Sequence, residues 1–242
     1  MDLFKTWLVE QYIAHRGFHN NTFPENTIGA FENAIKEGYA IELDVQQISD
    51  GTIVVFHDTT LKRLVGKDGY LKSLKKEDLK DCLISGTNWA IPTLEEVLNV
   101  VNGRTPILVE IKNTAKVGEI ESAVWEILKK YTGDYAIQAF NPYTLAWFKN
   151  NAPSVIRGQL SSSFKNEKLS LFKKIVLKRM AFNKNVSEPH FISYEASSLP
   201  NRFVDKFSEL PVLAWTVQSQ EQYLKVVSHC DNIIFEGFEP KL

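Results

Sequence analysis

Two carboxylates, Glu42 and Asp44, stand two residues apart in a run, Tyr39–Val45, that otherwise reads as a buried strand. Side chains alternate faces along a strand, so these two point one way while Ile41, Leu43 and Val45 point the other. Adjacent carboxylates repel each other. A fold that sets them together calls for a cation between them, unless the face is simply solvated. An oxygen-only pair selects a hard divalent ion such as Mg²⁺ or Ca²⁺. His15 and His57 bracket the pair in sequence, and imidazole is the side chain that exchanges protons near neutral pH.

These residues need elements to hold them. A short helix within residues 2–11 leads to a first strand, Tyr12–Ala14. Asn26 or Thr27 caps a helix with Ile28, Phe31 and Ile35 on one face, and Gly38 stops it. Asp50-Gly51 is a turn signal between Gln46–Ser49 and Thr52–Phe56, so a hairpin returns His57 toward the second strand. Asp58–Pro92 is too long for a βα loop and reads as an insertion with a short helix near Lys75–Leu83. Regular structure resumes at Thr93, which has capping-box spacing to Glu96.

Strands then alternate with helices. The strands are Thr105–Ile111, Tyr135–Phe140, Ser154–Leu160, His190–Tyr194, Val212–Val217 and Asn232–Phe235. Helices are expected at Val117–Tyr131, from Asn141-Pro142, at Lys168–Ala181, after Pro200 and at Ser219–Ser228, where Ser219 and Gln222 have capping-box spacing. Eight strands with helices or loops between them predict an α/β fold, a (β/α)₈ TIM barrel with a small insertion after the second strand. Residues 1–242 then form a single domain, with the insertion at about 58–92. Active residues in such barrels sit at the C-terminal ends of strands, where His15, Glu42, Asp44, Glu110, Lys112 and Trp215 fall.

His15-Arg16-Gly17, Pro24-Glu25-Asn26-Thr27, Ala30-Phe31, Gly38, Glu42-Leu43-Asp44-Val45, Asp50-Gly51, His57-Asp58 and Leu61…Arg63 resemble, in order, type and spacing, the glycerophosphodiester phosphodiesterase family. The resemblance covers nearly the whole chain and implies a metal-dependent hydrolysis of glycerophosphodiesters to sn-glycerol 3-phosphate and an alcohol. Glu110 and Lys112, two apart on the third strand, should face the barrel mouth. Glu110 would complete a three-carboxylate metal site with Glu42 and Asp44, and the family has a metal-ligating Glu in a Glu-x-Lys here. Lys112 is placed for phosphate. A phosphodiester needs its charge neutralised, a base for the attacking oxygen and an acid for the leaving one. Arg16, Lys112 and the metal would supply the first. By resemblance, His15 and His57 are the acid/base pair. Trp215 matches a tryptophan that the family places beside the glycerol. Asp58 either orients His57 or merely begins the insertion.

Two positions depart from the family pattern: Ala139 stands where serine is frequent, and Glu236 lies in an altered ending after the eighth strand. They bear on substrate preference. The net charge of −1 and the 44% apolar content describe a chain with a sizeable core and no field favouring nucleic acid. Cys82 and Cys230 have neither disulfide-framework nor metal-ligand spacing. The N-terminal stretch has acidic residues and no long apolar run, so a cytoplasmic enzyme acting on a small molecule is expected. The segment 165–184 carries seven basic residues against one acid, Glu167, with an apolar stripe of Leu169, Phe172, Ile175, Val176 and Met180. Such a helix can lie on an anionic membrane; packing of the stripe on the barrel is the favoured reading. Two competing functions are a lysophospholipase D acting on lysolipids and a catalytically silent phosphate-binding barrel.

Overall fold

The computed structural model describes residues 2–84, 86–113, 116–164, 171–180 and 183–241. In chain order the elements are α1 (Trp7–Glu10), β1 (Ile13–Ala14), α2 (Ile28–Lys36), β2 (Ala40–Gln47), β3 (Ile53–Val55), α3 (Lys62–Val65), α4 (Leu94–Val101), β4 (Ile107–Ile111) and α5 (Glu119–Leu128). Then follow β5 (Tyr135–Ala139), α6 (Pro142–Asn151), β6 (Arg157–Ser161), α7 (Leu171–Lys178), β7 (Phe191–Glu195), β8 (Val212–Val217), α8 (Gln220–Val226) and β9 (Asn232–Phe235). The fold is a (β/α)₈ barrel, in which β3 is the extra strand that opens a small insertion after the second barrel strand. Two compact units make up the chain: Ala14–Tyr135, and Met1–Ile13 with Ala136–Leu242.

In the unit Ala14–Tyr135, β2 and β4 run parallel with Glu42 opposite Leu108 and Asp44 opposite Glu110. β3 pairs antiparallel with β2, Val45 opposite Val55. The turn between them is the one the sequence signals: the Gly51 amide donates to the Ile48 carbonyl, and the Thr52 amide to Asp50 Oδ1. Gly51 has a φ of +89°, open to glycine at little cost. Helix α2 starts at Thr27, whose hydroxyl accepts from the Ala30 amide. Its buried face is Ala30, Phe31 and Ala34, with the expected Ile28 and Ile35 only half-buried. Thr93 and Glu96 close the anticipated capping box on α4.

The insertion is more ordered than its composition implies. Val54, Phe56, Leu61, Leu71, Leu79 and Ile91 form a satellite core beneath it. The short helix expected near Lys75–Leu83 is present as a 3₁₀ helix, Lys76–Asp81, in which only Leu79 is buried. One inward side chain gives a full α-helix no stripe to pack.

In the other unit, β6 through β9 pair parallel in sequence, with a register shift between Ala214 and Val217. Asn141 caps α6 with Pro142 at its first turn, and Ser219 caps α8 by accepting from the Gln222 amide. The Gln222 side chain accepts from the Gln218 amide, one residue before the capping position. Helix α1 is held by Asn232, whose amide donates to the Leu8 and Gln11 carbonyls. In the basic stretch Lys165 and Lys168, with Leu169, lie outside the described residues; Met180 is buried, while Ile175 is 39% exposed. Of the two stripe side chains described, Met180 packs inward and Ile175 does not. Among the described residues no helix is long and apolar enough to cross a membrane.

Candidate active site

Glu42, Asp44 and Glu110 bring carboxylate oxygens within 4.8 Å of one another, and all three are buried. Strand alternation puts Glu42 and Asp44 on one face, and the parallel register sets Glu110 beside Asp44. Burial first, and then the neighbouring Asp44 and Glu110, push the Glu42 carboxyl well above the ordinary range. Glu110 is also raised, by burial against the opposing pull of Lys112. Burial alone would raise Asp44 too, but Lys112, Arg16 and the His57 and His15 imidazoles together hold it far below its usual value. Both histidines thus act on the same carboxylate.

The two cations are already engaged. Lys112 Nζ lies 2.6 Å from Glu110 Oε1 and 3.1 Å from Asp44 Oδ1. Its ammonium is favoured despite burial, because Asp44 and Glu110 flank it. Arg16 donates to Glu25 Oε1 at 2.6 Å and sets its Nε 3.1 Å from Asp44 Oδ2. Its backbone amide donates to Glu42 Oε2 at 3.0 Å. Even so, Glu42 Oε1 is buried with no hydrogen-bond partner. A buried carboxylate oxygen left unmatched is costly. The donor set, three hard oxygens with no sulfur or imidazole in the group, fits a divalent cation such as Mg²⁺ or Ca²⁺.

The turn after β1 is shaped for this. Arg16 and Asn26 both have a φ of +56°, and Gly17 has +79°. A Cβ on Gly17 would meet Ala30 and the Phe31 ring at 2.9 Å, so the turn can pack on α2 only with glycine there. Asn26 donates to the Arg16 carbonyl from its backbone and to Asp44 Oδ2 from its side chain.

His57 Nδ1 lies 2.7 Å from Asp58 Oδ1. Burial would raise Asp58, but hydrogen bonds from Arg63 and His57 bring it down to about 2, so it is ionised near neutrality and only accepts. The proton therefore sits on His57 Nδ1, which leaves Nε2 as the basic nitrogen. Burial, with Lys112 and Arg16 nearby, lowers the His57 pKa against the pull of Asp44 and Asp58. Arg63 grips Asp58 through Nε and Nη2, at 2.7 and 2.9 Å, and Glu25 through Nη1 and Nη2, at 2.6 and 2.8 Å. A continuous chain of charges runs His57–Asp58–Arg63–Glu25–Arg16–Asp44.

All seven expected site residues from His15 to Lys112 fall in the unit Ala14–Tyr135. Trp215 lies in the other, toward the end of β8, with its ring edge-on to Phe140 at 5.5 Å and its indole N–H buried and unpaired. Three further residues shape the site beyond the expected set: Glu25, Arg63 and Gln46. Gln46 Nε2 donates to the carbonyls of Phe56, His57 and Asp58, and so fixes the backbone that carries the histidine. Strand alternation already put Gln46 on the face of Glu42 and Asp44, a signal that was available. Glu25 and Arg63 stand in the motifs that carry the family resemblance, but they are 38 residues apart and nothing local pairs them.

Fold and site define a (β/α)₈ barrel with a buried carboxylate triad that could hold a cation and two histidines acting on it. The chain matches the model of the glycerophosphoryl diester phosphodiesterase family over residues 15–236 and belongs to that family. A glycerophosphodiester phosphodiesterase of Caldanaerobacter subterraneus subsp. tengcongensis is 38% identical over 159 residues, 61% of this chain and 65% of that one. Another, from Bacillus altitudinis, is 36% identical over 154 residues, 59% of this chain and 62% of that one. The matched segments thus span a little under two thirds of these relatives. The structure of an Oleispira antarctica phosphodiesterase in complex with the product sn-glycerol-3-phosphate has the same fold. Its TM-score is 0.78 at 23% identity, over 95% of this chain and 93% of that one.

Proposed function

We propose that the chain is a glycerophosphodiester phosphodiesterase that hydrolyses glycerophosphodiesters to sn-glycerol 3-phosphate and an alcohol, with a divalent cation held by Glu42, Asp44 and Glu110. The observation that carries this reading is the buried triad with its unmatched Glu42 oxygen, flanked by two histidines that both act on Asp44. The cation would neutralise phosphate charge and acidify a hydroxyl beside it. Arg16 and Lys112 add positive charge for the phosphate. Trp215 is assigned the glycerol side, from the family resemblance and its place near the end of a barrel strand.

His15 and His57 divide the proton transfers, each worth about 10²–10⁴ in rate. The hydroxyl on C2 of the glycerol is already held near phosphorus, an advantage of proximity that free water lacks. One histidine takes the proton of this hydroxyl as its oxygen attacks, and the other protonates the departing alcohol. A cyclic phosphate results. Water then opens it while the two histidines exchange duties.

The reading is tested by following release of sn-glycerol 3-phosphate from glycerophosphocholine, -ethanolamine, -glycerol and -inositol, with and without EDTA. Turnover of at least one diester is expected, lost in EDTA and lost in His15→Ala and His57→Ala that keep their fold. Wild-type-like rates in either variant would overturn the histidine assignment. No turnover of any diester with Mg²⁺ or Ca²⁺ present would favour a silent phosphate-binding barrel.

A further inference from the structure

Beside the carboxylate cluster lies a pocket of about 330 Å³ at the C-terminal ends of β2 and β4, roofed by the insertion. Gln46, Tyr70, Lys72, Lys112, Lys116 and Glu119 line it. Two of these connect it directly to the site: Lys112 through its 2.6 Å contact with Glu110, and Gln46 through its grip on the His57 carbonyl. A group bound there sits next to the groups assigned to the phosphate and the leaving oxygen.

The charge of the lining is uneven. Lys112 is neutralised by Asp44 and Glu110. Lys72 and Lys116 make no ion pair among the described residues, and Glu119 is the one acid in the lining. Two uncompensated ammonium groups therefore outweigh one carboxylate. Tyr70 is 60% exposed, but Lys72 Nζ already lies over its ring, 6.0 Å from the centroid. A ring face occupied by a lysine offers little to a quaternary ammonium. Like charges set side by side also disfavour one partner against another.

We propose that this pocket is the leaving-alcohol subsite, and that Lys72 and Lys116 make it select small polyol head groups carrying a negative charge over choline or ethanolamine. The proposal rests on the phosphodiesterase reading and goes beyond it by naming the head-group class and the residues that choose it. The lysines act on binding of the alcohol and take no part in the proton transfers.

The test compares glycerophosphoglycerol, the same diester phosphorylated on its terminal hydroxyl, and glycerophosphocholine. Affinity is measured by calorimetry and kcat/KM by release of sn-glycerol 3-phosphate, for wild type and for Lys72→Ser/Lys116→Ser. Both lysines are on the surface, so the double variant should fold. Wild type is expected to prefer the phosphorylated diester over glycerophosphoglycerol by about fivefold, the scale of two exposed ion pairs. The choline diester should rank last. The preference should shrink in high salt and fall to about twofold or less in the double variant. Equal affinities for all three diesters in wild type, or a preference that survives the double substitution, overturns the proposal. Turnover and binding separate the two readings. A charge preference in binding without any turnover removes the hydrolytic reading and leaves the subsite standing; turnover indifferent to head-group charge does the reverse.

Discussion

Asn26 and Asp44 hold each other reciprocally: the Asn26 amide donates to Asp44 Oδ2 at 2.9 Å, and the Asp44 backbone N–H donates to Asn26 Oδ1 at 3.3 Å. One side chain thereby fixes both the strand and the carboxylate of a ligand to the proposed cation. Partners of this kind, one step out from a metal, are typically worth about 10–100-fold in metal affinity. Because Asn26 has a φ of +56°, the informative substitution is Asn26→Gly, which removes the amide and keeps the backbone permissible. The concentration of Mg²⁺ or Ca²⁺ giving half-maximal activity should rise by about 10–100-fold. An unchanged metal dependence would mean that Asp44 is held well enough by its other contacts.

Cation binding should also be visible without turnover. Chelation with EDTA is expected to lower the melting temperature, and Mg²⁺ or Ca²⁺ to restore it. A cation present at a hundred times its Kd adds about 2.7 kcal/mol to the folded state. Glu42→Gln, Asp44→Asn and Glu110→Gln should lose most of this shift. A melting temperature indifferent to EDTA after exhaustive dialysis counts against the site.

Asp58 is expected to position His57 and not to react. In Asp58→Asn the imidazole loses an anionic partner that raises its pKa, while Arg63 keeps its charge. The limb of the kcat/KM–pH profile set by His57 should therefore move to lower pH. The rate at the optimum should fall by about 10²-fold, the lower end for a misplaced proton-transfer group. A reduced rate with an unmoved limb would make Asp58 a structural residue only.

The glycerol hydroxyl is expected to be the first nucleophile. The comparison is kcat for glycerophosphocholine against its 2-deoxy analogue, which should bind but turn over far more slowly, since it lacks the pre-positioned oxygen. Equal kcat values would show that water attacks directly.

Away from the site, His190 should make stability pH-dependent. Burial, with the Arg157 guanidinium nearby, lowers its pKa to about 4, and its Nδ1 accepts from the Arg157 backbone N–H. The unfolded chain takes up this proton from about pH 6.5 downward, while the folded chain resists it until about 4. The stabilisation is complete above the unfolded pKa and drains away as pH falls through this window. In His190→Asn, whose Oδ1 can accept the same bond without titrating, thermal stability should fall less between pH 7 and pH 4. Parallel curves for the two proteins would remove His190 from the explanation.

Features written in short stretches were legible in the sequence. Strand alternation placed Glu42 and Asp44 on one face, Asp50-Gly51 announced the turn, Thr93 and Glu96 announced a cap, and the order of strand and helix signals fixed the barrel. Each depends on residues within a few positions of each other, where backbone geometry leaves few choices. Packing decided the rest. The buried face of α2 took in its alanines beside Phe31, and the insertion closed over a core of its own, with its helix near Lys75–Leu83 tightened to 3₁₀ form. The site's electrostatics are likewise tertiary. Asp44 lies opposite Glu110 through strand register, and Arg63 joins Asp58 to Glu25 across 38 residues. Lys112 leans on two carboxylates. A sequence names the charges, but burial and distance set their energies, and those exist only once the chain has brought Glu25, Asp44, Arg63 and Glu110 together.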